Sequence, residues 1–394
     1  MPYIEGRVVH DADAHIMEEP TWLMEHADPD VREQLRPNVE LGLAPGEAEA
    51  IEQMLQRQSD DEFRSRDATE IMNRKNFKAT GATIAADRPR ALDLLGVASQ
   101  LVFNTFNNGN LLRFERTGDL DLAYGAARAH NRGMVEFCSV DDRLLPTCYV
   151  PLADFERSAA MAGEAIALGA AALLVPSGCP NQHSPSHLGL DRVWRQAEEA
   201  GIPIVLHVGG GGQLLHPSYF VNGGAYVPDF HGGDENFRSV DYMAIPGPPA
   251  QTLATMIFDG VLERHPSLMI GVIEQGAIWL PSWMRQMESA FDAFLKHEQR
   301  LQDLSLRPSE FVRRQVKATP YPTEDVGWII EQAGPEVALF STDFPHVEGG
   351  RRPFERFEAS LGDASEAVRQ AFYCDNFVEL MGAAIDRVPL GYAS

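Results

Sequence analysis

Pro203-Ile204-Val205-Leu206-His207 decides the fold. It is a short apolar run that stops on a metal-ligand residue type and passes at once into Val208-Gly209-Gly210-Gly211-Gly212. Three other stretches have the same form. Val8-Val9-His10 leads into Asp11-Ala12-Asp13-Ala14-His15, and Met269-Ile270-Gly271-Val272-Ile273 ends on Glu274. Val337-Ala338-Leu339-Phe340-Ser341-Thr342 ends on Asp343, with His346 close behind. Continuous rather than alternating hydrophobicity is the pattern of parallel strands buried on both faces. In a (β/α)8 barrel the reacting groups sit at the C-terminal ends of such strands. One histidine in such a place carries little weight, but four ligand-bearing ends, spread from the first run to the last, can converge on one point.

Working outward, eight apolar or β-branched runs are expected as strands: Arg7 to Asp11, Ala98 to Asn104, Leu144 to Pro151, Ala171 to Pro176, Pro203 to His207, Met269 to Glu274, Gln315 to Thr319 and Val337 to Ser341. Helical patterns lie between several of them. Phe155 to Leu168 follows Asp154, a fitting N-cap, and Leu190 to Ala200 is amphipathic and ends at Gly201. Leu280 to His297 carries Pro281 in its first turn. Strand and helix in alternation predict a single α/β domain over residues 1–394, a (β/α)8 TIM barrel.

Two connections are too long for ordinary loops. The first, about residues 20–90 after strand one, includes the charged stretch Pro45 to Arg66 and is expected to be a helical insertion. The second, residues 208–249 after strand five, is rich in Gly, Pro and aromatics, among them Tyr219, Phe220, Tyr226, Phe230, Phe237 and Tyr242. It leaves from the end that carries His207, so it is expected to shape or cover a pocket, against the alternative of a surface loop packed on its own aromatics.

The chain has 394 residues, 44% of them hydrophobic, enough for a full core. Its net charge of -24 repels phosphate backbones and argues against a nucleic-acid partner. No apolar run approaches the length of a membrane span, and the first residues lack the charged and apolar regions of a secretory signal. Cys138, Cys148, Cys179 and Cys374 show no paired spacing, so a reducing, cytoplasmic compartment is expected.

Each candidate residue has a bland reading beside the functional one. Asp13 and His15, two apart on an extended strand, point the same way and could share one ion, or they are a turn aspartate and a surface histidine. His207 is a ligand or a core histidine bonded to backbone. The glycines after it let a ligand or a loop approach closely. No phosphate-loop motif follows them. Asp343 is a site carboxylate or the N-cap of a helix, although Pro345, Gly349 and Gly350 favour an irregular turn. Glu274 needs a partner or a raised pKa if buried. It is either paired with an arginine such as Arg285 or part of the site.

Taken in order, these residues resemble the amidohydrolase family 2 branch of metal-dependent TIM-barrel enzymes, which includes aminocarboxymuconate semialdehyde decarboxylase and the aromatic-acid decarboxylases. The resemblance runs from Val8 to about Gly382. Its marks are Asp11-Ala12-Asp13-Ala14-His15 with Glu19-Pro20, Leu92-Asp93-Leu94-Leu95-Gly96-Val97, Asn131, His207, Glu274-Gln275-Gly276-Ala277-Ile278-Trp279 and Ser341-Thr342-Asp343-Phe344-Pro345-His346. It implies that Asp13, His15, His207 and Asp343 hold one divalent metal ion, with Asp343 also handling a proton. Zn²⁺ suits that donor set best and Mn²⁺ is compatible with it. Glu274 stands where the decarboxylases resemble one another in having a catalytic histidine. A glutamate can accept a proton there, and donates one at neutral pH only if its pKa is raised. His346 is the substitute donor. Phe103, Asn104 and Trp279, at strand ends, are expected to line the substrate pocket.

The reaction this implies is non-oxidative decarboxylation of a small aromatic or conjugated acid. A hydrolase cleaving an amide, a lactone or a C–C bond could use the same site, and a non-catalytic ligand-binding barrel is the reading from another class. Relatives of this kind are often dimers or larger, so a homo-oligomer is expected.

Overall fold

The computed structural model describes residues 1–41, 47–180, 182–225 and 238–389. Pro45, and Tyr226, Phe230 and Phe237 of the post-strand-five loop, lie outside the described residues. Seven parallel strands form one sheet in sequential order: β1 (His10–His15), β2 (Ser99–Phe103), β3 (Leu144–Tyr149), β4 (Ala172–Val175), β5 (Ile204–His207), β6 (Ile270–Ile273) and β7 (Val316–Ala318). Every strand is buried along its whole length; β4, β5 and β6 accordingly read as continuous apolar runs, whereas β1 buries an alternation of polar and small residues. Burying each Ile, Val or Leu of β5 is worth about 1.5–3 kcal/mol.

The eighth run closes the ring without becoming a strand. Leu339 N donates to Ala318 O at 2.9 Å on the β7 side, and Ala12 N donates to Phe340 O at 3.0 Å on the β1 side. Single parallel bridges join Ala318 to Ala338 and Ala14 to Phe344. The expectation of a strand from Val337 to Ser341 is corrected in this respect. The segment must turn to present Asp343, and its ladder is interrupted there. The first strand is also displaced: it spans His10–His15 rather than Arg7 to Asp11, so Asp13 and His15 lie within it.

The connecting helices follow their caps. Helix Phe155–Leu168 begins where Asp154 accepts from Arg157 N and ends at left-handed Gly169. Helix Asp191–Ala200 ends at left-handed Gly201. Helix Leu280–Phe294 carries its proline in the first turn. Between β1 and β2 the chain forms Trp22–Glu25, Pro29–Leu41, Glu47–Gln58, Asp61–Ser65, Asp67–Glu70 and Arg88–Leu95 as helices. Parallel register sets the strand ends level: His207 pairs with Ile273, one residue before Glu274, and His15 pairs with Phe103, one residue before Asn104. Among the described residues no helix is long and apolar enough to cross a membrane.

Candidate metal centre and active site

Asp13 and His15 share one side of β1, as residues two apart must. His15 Nε2 lies 3.1 Å from Asp13 Oδ1 and 3.6 Å from both Glu274 Oε2 and Asp343 Oδ1. His207, at the end of β5, brings its Nε2 to 3.3 Å from Glu274 Oε2 and 3.5 Å from Asp13 Oδ1. One ligand atom each from Asp13, His15, His207 and Glu274 lies within 4.8 Å of the others, and the same is true of His15, Glu274, Asp343 and His346. All six residues are buried. Glu274 is therefore not paired with Arg285; it faces the two histidines.

The two histidines are aimed by their far nitrogens. His15 Nδ1 meets the Asn104 carbonyl at 2.9 Å and His207 Nδ1 meets the Val208 carbonyl at 3.0 Å. A carbonyl only accepts, so each Nδ1 carries a proton and each ring presents its Nε2 inward, the atom that would bind an ion once it has given up any proton of its own. His346 is held differently. The Thr105 hydroxyl donates to Ile16 O at 2.7 Å, so its contact with His346 Nε2 at 2.8 Å takes the ring's proton. His346 Nδ1 is left facing Asp343 Oδ1 3.0 Å away, and the ring stacks on His15 at 3.9 Å.

Glu274 and Asp343 both adopt left-handed backbone, with φ of 54° and 52°. For residues with a Cβ this costs on the order of 1 kcal/mol or more, and neighbours must enforce it. Glu274 N donates to Thr319 Oγ1 at 2.8 Å, and Tyr321 OH donates to the Glu274 carbonyl at 2.7 Å. Glu324 accepts from Ala277 N at 2.9 Å and fixes the turn that follows. Asp343 N donates to Asp13 O at 2.9 Å. Just before it, Thr342 gives its N–H and hydroxyl to the Asp11 carboxylate at 2.8 and 2.6 Å. A Cβ at Gly349 would lie 2.1 Å from Thr342 O, so only glycine lets the following loop fold back on this turn.

The charges conflict. Burial opposes ionisation of Asp13, yet the imidazoles of His15 and His207 hold its pKa well below the usual carboxylate range. Burial and the Asp343 charge push Glu274 well above it. Burial and the Asp13 charge raise Asp343 to about 7. His346 is driven well below the ordinary imidazole value by burial and by His15. His207 Nε2 and Asp343 Oδ1 are buried with no hydrogen-bond partner. Inward Nε2 atoms, crowded carboxylates and orphaned acceptors fit a divalent cation, which satisfies all three at once.

The expected pocket residues fare differently. Phe103 packs against His207 with ring centroids 4.5 Å apart and forms the wall behind the ligands. Both polar atoms of the Asn104 side chain are buried without a partner. Trp279 donates its indole N–H to Gly276 O and packs on Trp283, on the helix side of the turn. A small opening beside Asp13, Glu274 and Asp343 is lined by Tyr321, Glu348 and Gly349. The loop after β5 reaches this wall, with Tyr242 against Tyr321 at 5.2 Å. The glycines after His207 serve packing between loops: a Cβ on Gly211 would come 2.6 Å from Pro248. Thr105, Tyr321 and Glu324 lie outside every motif read from the sequence; only their contacts mark them.

A parallel barrel with buried His and carboxylate side chains that could hold a metal ion at its C-terminal strand ends is the scaffold of a metal-dependent enzyme. The chain belongs to the amidohydrolase family, whose model matches residues 108–381. Among solved structures it is similar to an amidohydrolase from Mycobacterium avium subsp. paratuberculosis K-10, at 21% identity and a TM-score of 0.73, covering 96% of this chain and 100% of that one. It is similar to 5-carboxyvanillate decarboxylase from Novosphingobium aromaticivorans with manganese and 4-hydroxy-3-methoxy-5-nitrobenzoic acid, at 16% identity and a TM-score of 0.62, covering 95% and 96%. It is also similar to 2,6-dihydroxybenzoate decarboxylase from Rhizobium, at 18% identity and a TM-score of 0.59, covering 96% and 99%. No curated protein matches the sequence.

Proposed function

We propose that this protein is a metal-dependent, non-oxidative decarboxylase of a small aromatic or conjugated carboxylic acid. The observation that carries the reading is the pair of overlapping clusters, Asp13, His15, His207 and Glu274 on one side and His15, Glu274, Asp343 and His346 on the other, with His207 Nε2 and Asp343 Oδ1 left unpartnered. Asp13, His15, His207 and Asp343 would hold the ion, and Glu274 offers a further oxygen. Zn²⁺ and Mn²⁺ both suit this set. The decarboxylase structures from Novosphingobium aromaticivorans and Polaromonas, which contain manganese, lend weight to the latter. When bound, the ion supplies a Lewis acid for substrate oxygens.

The residues divide the remaining work. The Asn104 amide offers a donor and an acceptor to the substrate, and Phe103 gives the pocket an apolar wall. The C–CO₂ bond breaks with its electron pair left on carbon, CO₂ departs, and one proton is delivered to that carbon. Glu274 suits that delivery where it does not itself bind the ion: in the ion-free site burial and Asp343 raise its pKa, and a carboxyl that keeps its proton can stand in for a catalytic histidine. Asp343, with His346 Nδ1 beside it, returns the proton.

The second reading, a hydrolase, is favoured by the same Asp343, which could take a proton from an attacking water. Turnover of aromatic acids in D₂O and in ¹⁸O-water separates the two. Decarboxylation places deuterium on the vacated carbon and no ¹⁸O in the arene product; ¹⁸O in the product overturns it.

A further inference from the structure

Beyond the site cluster, the described residues hold two buried ammonium groups that the chemistry above does not use; Lys317 Nζ is paired with Glu379 at 2.7 Å, and Lys75 is not paired. Lys75 Nζ is sealed from solvent and makes no hydrogen bond. Its segment is clamped over the catalytic end of the barrel at two points. Asn76 N donates to Pro345 O at 3.0 Å, next to His346. Phe77 stacks on Phe106 at 5.8 Å and 11°, just past Thr105 at the end of β2. The charges that act on Lys75 include those of Asp343, Glu348 and Asp11. Burial pulls its pKa down to about 8, so it remains a cation at neutral pH.

A buried, unpaired cation is costly and calls for a counter-ion. The other buried cation beneath the site is already engaged: Arg88 donates to Gln100 Oε1 at 3.0 Å and to His15 O at 2.9 Å. Arg351 is exposed. The walls are otherwise acidic, with Asp13, Glu274, Asp343 and Glu348 at the opening. An anion entering there meets repulsion unless it is offset by the ion or by the charge of Lys75, which acts on the same Asp343 and Glu348 carboxylates from the segment above.

The geometry points to Lys75 as the anchor for a substrate carboxylate, contributed by the chain between β1 and β2 to a site otherwise built from strand ends. This inference rests on the reading of the site as one that takes a carboxylic acid, and it adds a specificity residue to it. Pairing with a positioned ammonium selects acids over their neutral analogues by about tenfold or more.

The test uses the full chain loaded with Mn²⁺, in wild-type, Lys75→Met and Lys75→Arg forms. Metal content is measured first. Calorimetric binding then compares 4-hydroxy-3-methoxy-5-nitrobenzoic acid and 2,6-dihydroxybenzoate with their methyl esters. The expected result is a preference of about tenfold or more for at least one acid in the wild type. Lys75→Met reduces that preference to within about twofold, and Lys75→Arg restores part of it, all with unchanged metal content. A preference that survives in Lys75→Met overturns the inference, as does a metal-loaded wild type that binds neither acid or binds acid and ester equally. A wild type that takes up no metal overturns the functional reading itself and the inference with it.

Discussion

Glu274→Gln tests the convergence of the site through stability, with no substrate needed. In the chelated protein Glu274 is buried beside Asp343 and Asp13, and both burial and their charges raise its pKa. The unfolded chain returns it to the ordinary value of 4.5. A raised carboxyl contributes stability that is fully present below the unfolded pKa and is lost as pH rises towards the folded one. Each pH unit between those limits costs about 1.4 kcal/mol. At pH 7 the folded wild type therefore carries a penalty of up to about 3 kcal/mol, set by that slope over the interval from 4.5 to 7. Glutamine has the shape of the protonated acid and escapes the penalty. Denaturant unfolding of chelated wild type and Glu274→Gln across pH 4.5 to 8 should show equal stability at the acid end. The variant should lead by up to about 3 kcal/mol at pH 7. With Mn²⁺ or Zn²⁺ present the order reverses, because the ion is held by the carboxylate charge that the neutral amide of the variant lacks. A gap that does not grow with pH in chelator would refute the claim that Glu274, Asp13 and Asp343 share one buried point.

Other substitutions separate the roles around that point. His207→Ala removes an inward lone pair and should reduce bound metal from about one equivalent to a small fraction, read by mass spectrometry on protein purified without chelators. Asp343→Asn keeps the shape of the turn and should lower kcat by roughly 10²–10⁴ with little change in Tm. Retention of most of the rate would remove Asp343 as the proton handler. Gly349→Ala drives a methyl into Thr342 O, 2.1 Å from its ideal position, and should cost about 2 kcal/mol or more in denaturant unfolding. A neutral result would show that the loop after His346 does not hold the Asp343 turn.

The sequence by itself picked out the candidate site residues and the order in which the strands come. Continuous apolar runs need only local reading, because a parallel strand buried on both faces has no polar side to show. Each ligand sits at the end of such a run, so Asp13, His15, His207 and Asp343 were legible one strand at a time. The caps at Asp154 and Gly201 were legible for the same reason, since a helix end is satisfied by its nearest neighbours.

Tertiary structure decided what those residues face. Glu274 leans towards the site on its strand-end position alone, with a salt bridge as the alternative; β6 beside β5 sets its Oε2 3.3 Å from His207 Nε2. The left-handed turns at Glu274 and Asp343 have no local signature, because neither is glycine; they are imposed by Thr319 and Tyr321 at the first and by Asp11, through Thr342, at the second. The same holds for Thr105 beneath His346 and for Lys75, which reaches the barrel mouth through a backbone bond between residues 76 and 345. A ligand type at a strand end is a property of a short stretch of chain. A proton's location or a charge's partner is a property of the space between strands, and only closure of the barrel creates that space.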